Sequence, residues 1–352
     1  MPHKKLKKIG FVRCGGGAIG GLAQAVQLHE FEKAGIQADW NGNVSVGAFN
    51  ALSQNTIEIW KKHITSPFAI YDLNPALRKI FKDARQFIAP FKKHESWKEW
   101  MREYKLQKQN IAQTLSFLKR TLVTGWKIIR NPNNNFFDSK DFATLSEFAI
   151  SALKEHDLYN LQSFLSIDPL MEVVEKNIDL ETALKGPSLN IFVRHLQTGK
   201  EKILNPKSKP ELLLALRAAS ALVPFFEPVK IYEEYYCDVG DVNPFPVKYA
   251  FDVGCDTVFA FVKGYNTPLP KPANVIEMML AEVEIHTRKM FLLLYKQTKE
   301  RAKREGRKLY VVSPKSPPHP DLGFLSISPE AIEYTIEKES EATQKFLEKI
   351  LK

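Results

Sequence analysis

The chain has 352 residues, 44% of them apolar, which is enough to bury a substantial core in one large α/β domain or two smaller ones. Its formal net charge of +10 predicts attraction to anionic surfaces, phospholipid headgroups and nucleic acid both being eligible. Three cysteines, Cys14, Cys237 and Cys255, are too few for a disulfide framework and lack the spacing of a zinc site, so they are expected to be small buried apolar residues in a reducing compartment.

The basic start Met1 to Lys8 leads into Ile9-Gly10-Phe11-Val12, an apolar run too short for a signal peptide, and no stretch reaches the ~20 apolar residues of a membrane span. The expected location is cytoplasmic, with at most peripheral contact with an anionic membrane surface. Ile9 to Val12 predicts a first buried strand. Ala18 to Lys33 predicts a helix closed by Gly35, and Ile36 to Trp40 a second strand. A sharp turn at Ser45 follows, then a helical run from Ala48. Strand, glycine loop, helix, strand, turn and helix in that order predict a three-layer α/β fold with a largely parallel central sheet and helices on both faces.

From about residue 57 to 135 the pattern becomes helical and rich in aromatics, lysine and arginine, which predicts a helical insertion or cap. Strand signals return at Leu189 to Val193, Ile203-Leu204, Val229 to Tyr232 and Thr257 to Val262. His195 is expected to end a core strand before a Gln197-Thr198-Gly199-Lys200 turn. Val275 to Tyr295 predicts an apolar core helix with a solvated basic extension, a membrane-docking helix being the alternative. The domain division expected is a core over residues 1–265, including the insertion, and a mainly helical region over 266–352 packed on it.

Two short motifs carry chemistry. Asn43-Val44-Ser45-Val46-Gly47 has the form of a nucleophile elbow, in which a strand-to-helix corner projects a serine hydroxyl clear of the backbone. Cys14-Gly15-Gly16-Gly17-Ala18-Ile19-Gly20-Gly21 follows a strand and opens a helix, so its amides can face an anion. Gly15, Gly17 and Gly20 satisfy a dinucleotide-binding pattern with Asp39 as the ribose-binding acid, which makes an oxidoreductase one reading. In the other, the amides of Gly15, Gly16 and Gly17 form an oxyanion hole for a serine that attacks an ester.

These stretches resemble the patatin-like phospholipase family. Gly15-Gly16-Gly17-Ala18-Ile19-Gly20 is similar to its glycine loop, and Ser45-Val46-Gly47-Ala48-Phe49-Asn50-Ala51 to its elbow and helix. Ala219-Ser220-Ala221-Leu222-Val223-Pro224-Phe225-Phe226-Glu227-Pro228 is similar to a proline-bearing family segment, and Asp238-Val239-Gly240 followed by Asn243-Pro244-Phe245-Pro246 to its aspartate block. The resemblance implies a lipid acyl hydrolase with a Ser45 and Asp238 dyad, no cofactor or metal, and phospholipid or another acyl-ester lipid as substrate. Asp238 must then sit close to Ser45 in a water-poor pocket that raises its proton affinity. Ile19, Asn43 and Val239 depart from the family pattern, where a basic residue and two glycines are usual, so a weakened enzyme or a lipid-binding scaffold is the alternative outcome.

Other chemistry is less well supplied. His286 is expected to be a core histidine and His319 a surface residue of a proline loop. Trp97, Trp100 and Trp126 of the insertion are candidates for contact with lipid. No stacking platform or recognition helix supports nucleic-acid binding.

Overall fold

The computed structural model describes residues 8–52, 56–66, 69–75, 163–264, 275–315, 317–320, 322 and 327–352. The chain divides into two compact units, Met1–Asp72 with Leu165–Lys352, and Leu73–Phe164. Most of the expected insertion, with Trp97, Trp100 and Trp126, lies outside the described residues.

The first unit is built on an eight-stranded mixed sheet. Strand β1 (Ile9–Arg13) lies between β2 (Trp40–Val44) and β7 (Thr257–Phe261), all parallel, and β8 (Lys308–Val312) extends the parallel part beyond β7. On the other side β3 (Leu189–His195) is parallel to β2 and antiparallel to β4 (Glu201–Leu204) and β6 (Glu234–Asp238), with β5 (Val229–Ile231) antiparallel to β6. This is the α/β class expected, a mostly parallel sheet flanked by helices.

Strict alternation along the strands makes three layers, because successive side chains leave opposite faces of the pleat. Phe11, Phe259 and Phe261 meet Phe31 of α1 (Gly17–Lys33) and Leu347 of α9 (Pro329–Leu351) on one face. Phe11 stands edge-on to Phe31, Phe259 and Phe261 with ring centroids 5.7, 5.9 and 5.1 Å apart. Ile191 and Val193 continue that face under α2 (Val46–Asn50), α3 (Thr56–His63), α4 (Asp168–Asn177), α5 (Leu180–Lys185) and α6 (Lys209–Ser220). Val12, Val44, Phe192, Val258 and Ala260 point the other way, into α7 (Val247–Asp252) and α8 (Val275–Arg304).

The second strand differs from expectation. It spans Trp40–Val44, whereas Ile36 to Ala38 carries no regular structure. Trp-Asn-Gly-Asn-Val lacks an apolar strand pattern, yet all five residues are buried because the asparagines find partners inside the sheet face. Asn41 Oδ1 accepts from Arg13 Nη1 at 2.7 Å, and Asn190 Nδ2 donates to the Asn41 carbonyl at 2.6 Å. Strands β6 and β8 were not anticipated, and β8 brings the C-terminal region into the sheet itself.

Helix α8 is not a simple core helix. Thr287, Phe291, Thr298 and Ala302 are buried along one face, while Met278, Ile285, Leu292 and Leu293 are exposed. His286, expected in the core, is exposed as well, since it neighbours Ile285 on the outward face. Among the described residues no helix is long and apolar enough to cross a membrane.

Candidate active site

Strand β2 ends at Val44, and the chain turns at Ser45 with φ 53° and ψ −131°, a conformation that costs an L-residue roughly 1–3 kcal/mol. Helix α2 begins at the next residue, so Ser45 stands on a strained strand-to-helix corner, as an elbow requires. The corner is tight: a Cβ at Gly47 would lie 2.4 Å from the Arg13 carbonyl oxygen. Asn43, in contrast, does not crowd it. Its side chain is fully buried, accepting from Arg13 Nη1 at 3.1 Å and donating to the Asn190 carbonyl at 3.3 Å. The polar residue therefore braces β2 against β1 and β3.

The sheet register brings the second group to the same place. Val44 stands opposite Phe192 on β3, and Asp238, arriving on β6 from the opposite direction, stands opposite Val193. The carboxyl ends of β2 and β6 thus converge on adjacent residues of one strand, which is how positions nearly two hundred apart in sequence meet. The Ser45 hydroxyl lies close enough to the Asp238 carboxylate to favour its charged form. Asp238 Oδ1 accepts from the Gly240 amide at 2.7 Å. Burial pushes the Asp238 carboxyl from 3.8 up to about 6, against the opposing pull of the nearby Ser45 hydroxyl and of the Gly240 hydrogen bond; the neighbouring Asp241 adds to the rise and Arg194 offsets part of it. Val239 adds no bulk to the site, because its side chain is fully buried among Val12, Val44 and Phe245 on the α7 and α8 side of the sheet.

The glycine loop closes the third side. A Cβ at Gly15 would lie 2.9 Å from Ser45 Cβ, so only glycine lets the loop approach the serine this closely. The amides of Gly15, Gly16 and Gly17 have no hydrogen-bond acceptor among the described residues. Gly17 adopts a left-handed φ of 61° as α1 begins. Gln24 Nε2, buried in α1, donates to the carbonyls of Cys14 at 3.0 Å and Phe261 at 3.2 Å. Asn50 Nδ2 donates to the Gly21 carbonyl at 2.8 Å and to Gln24 Oε1 at 3.1 Å, and Trp60 Nε1 donates to Asn50 Oδ1 at 3.3 Å. Loop, elbow helix and α3 are tied together by this one buried network. Gln24 was not singled out from the sequence; two glutamines and a glutamate, Gln24, Gln27 and Glu30, on a helix otherwise read as apolar were the available signal.

The patatin-like phospholipase family model matches residues 14–251, more than half of the chain, and the matched span contains the loop, the elbow and the aspartate. The chain belongs to the patatin-like phospholipase family. The family is generally one of lipid acyl hydrolases. A comparison with curated proteins returned no match.

Two cavities meet at the elbow of this patatin-like core, and Ser45, Leu222 and Asp238 line both. The larger is apolar and bounded by residues such as Phe49, Trp60, Ile70, Val174, Ile178 and Phe226. The smaller has a mainly apolar wall into which charged residues reach, being bounded by Gly15, Gly16, Asp241, Lys263, Glu284 and Thr287 among others. Ile19, where the family loop usually has a basic residue, packs its side chain against the apolar core on the α1 side, and a cation reaches the loop from the end of β7 instead, as Lys263.

The remaining candidates fall elsewhere. Asp39 precedes β2 and its carboxylate accepts from the Ile9 amide at 2.6 Å, which fixes it at the amino ends of the parallel strands. A ribose-binding acid belongs at the carboxyl ends, beside the glycine loop, so the dinucleotide reading fails on geometry. His286 and His319 line neither cavity, and His319 lies against Tyr334 with ring centroids 5.5 Å apart. His195 ends β3 and accepts from the Thr198 amide at 3.2 Å in the expected turn. All three cysteines are buried free thiols; burial raises each, Cys237 and Cys255 to about 11, which leaves them poor nucleophiles.

Proposed function

We propose that the protein is a serine acyl-ester hydrolase acting on phospholipids or related lipids through an acyl-enzyme on Ser45. The observation that carries this reading is the convergence of Ser45 and the buried Asp238 carboxylate on one site, next to three glycine amides with no acceptor among the described residues. Asp238 takes the Ser45 proton as Oγ bonds to the ester carbonyl carbon, and the amides of Gly15, Gly16 and Gly17 stabilise the resulting oxyanion. Collapse of the tetrahedral species breaks the ester C–O bond, and the leaving alcohol takes the proton from Asp238. Water then attacks the acyl-enzyme, giving its proton to Asp238, and Ser45 leaves with that proton restored. A carboxyl near 6 is matched to this work, being ionised at neutral pH yet basic enough to accept a proton.

The two cavities fit the two halves of such a substrate. An acyl chain is accommodated by the apolar cavity and the polar leaving group by the one beside Lys263. Peripheral contact of α8 with an anionic lipid surface is supported by its exposed Met278, Ile285, Leu292 and Leu293, interspersed with exposed Lys289 and Lys296. Co-sedimentation with anionic but not neutral vesicles is the expected result, and equal recovery with both argues against the charged contact. The reading as a whole is tested by Ser45→Ala, which is expected to abolish fatty-acid release from phospholipid or a chromogenic ester. Unchanged turnover in that variant overturns the assignment.

A further inference from the structure

Lys263 lies two residues beyond β7, and it is only 7% exposed. A Cβ at Gly16 would lie 3.0 Å from both Cβ and Cδ of Lys263, and one at Gly20 would lie 3.1 Å from Lys263 Cβ. The aliphatic stem is therefore laid against the backbone of the glycine loop, with Gly16 at the loop's centre and Gly20 in the first turn of α1. The ammonium forms an ion pair with Glu284 of α8, and Glu284 in turn accepts from Arg288 Nε at 2.9 Å. Lys263 and Glu284 line the same cavity as Ser45, Asp238, Gly15 and Gly16.

A loop of three consecutive glycines has little conformational preference of its own, so its amides hold a fixed direction only if something outside the loop imposes it. Gln24 fixes the loop at its start, through the Cys14 carbonyl. On the opposite side the Lys263 stem is in contact. A buried ammonium is held in place by its carboxylate partner, because separating the pair strands an uncompensated charge. The stem is thus anchored at one end by β7 and at the other by α8, with the loop pressed beneath it.

We propose that Lys263, clamped by Glu284, is the positioning residue of the oxyanion loop, holding the Gly15 to Gly17 amides in the place where the developing alkoxide forms. This rests on the hydrolase reading above. Lys263→Met keeps the stem length and removes the clamp. The expected result is a kcat lower by about 10²-fold with KM changed less than about twofold, the cost of a misplaced catalytic group. Lys263→Arg, which can still pair with Glu284, is expected to recover most of that loss. Glu284→Gln is expected to lower kcat similarly, and the double variant little further, since both changes release one clamp. Amide hydrogen exchange at Gly20, whose N–H donates to the Gly16 carbonyl at 3.1 Å, supplies a readout that needs no turnover, and it should accelerate at least about tenfold in Lys263→Met while exchange in β1 and β7 is unchanged. Unaltered exchange at Gly20, a rise in KM alone, or full activity in Glu284→Gln overturns the proposal. Failure of the hydrolase reading shows separately, in the Ser45→Ala assay, and leaves the exchange experiment decisive for the clamp.

Discussion

Replacing Asp238 by Asn should make the protein more stable while removing its activity, and the gain should depend on pH in a way set by one carboxyl. Asp238 is 4% exposed, and burial moves its carboxyl from 3.8 up to about 6. A raised carboxyl means that the folded state binds a proton more tightly than the unfolded chain does. Ionisation therefore costs stability: nothing well below 3.8, progressively more between 3.8 and about 6, and a constant amount above. A shift of about two units corresponds to about 3 kcal/mol at pH 7.5. The same linkage leaves only about half a kcal/mol at pH 4. Asn keeps an oxygen for the Gly240 amide and a polar group towards Ser45, but carries no charge to desolvate. Urea unfolding of both proteins at pH 7.5 and pH 4 measures the difference. The expected outcome is a variant more stable by up to about 3 kcal/mol at the higher pH, with most of the gain gone at the lower. A variant no more stable than the parent at pH 7.5, or a gain of equal size at both pH values, refutes the burial argument.

Three other outcomes follow from the site. With Asp238 as the base, kcat/KM should rise tenfold per pH unit below about 6 and level off above it; a profile flat down to pH 4.5 excludes that carboxyl as the controlling group. Ile178→Trp, which fills part of the apolar cavity, should shift preference towards shorter acyl chains in a series of p-nitrophenyl esters, and an unchanged chain-length profile means that the chain binds elsewhere. Asn43→Gly restores the glycine common in elbows but deletes the hydrogen bonds to Arg13 and Asn190. It should therefore destabilise the protein by about 1–3 kcal/mol in urea without raising kcat, and a faster enzyme would show that Asn43 does restrict the corner.

The parts of the fold legible in the sequence were those fixed by local chemistry. Ile9 to Val12 is apolar enough to be a buried parallel strand, Gly35 stops α1 with a φ of 73°, and Ser45 sits between a strand and Gly47 as a corner demands. What stayed hidden depends on partners distant in sequence. Strand β2 is polar in composition and becomes a central strand only because Arg13 and Asn190 satisfy Asn41 and Asn43, so a pattern search places it four residues too early. The same network explains why Asn43 is tolerated. Lys263 could not be linked to the loop by any spacing rule, since its contact with Gly16 comes from β7 pairing beside β1. Strand β8 does carry a readable signal, Leu309-Tyr310-Val311-Val312, a run of aromatic and β-branched residues after a basic helix end.

The reactivity of Ser45 towards a fluorophosphonate probe bears most directly on the chemistry proposed. At pH 7.5, peptide mass spectrometry should find one adduct, on Ser45, lost in Ser45→Ala and strongly reduced in Asp238→Asn. An intact, folded protein whose Ser45 takes up no probe, or whose labelling is indifferent to Asp238, contradicts an activated serine and aspartate pair.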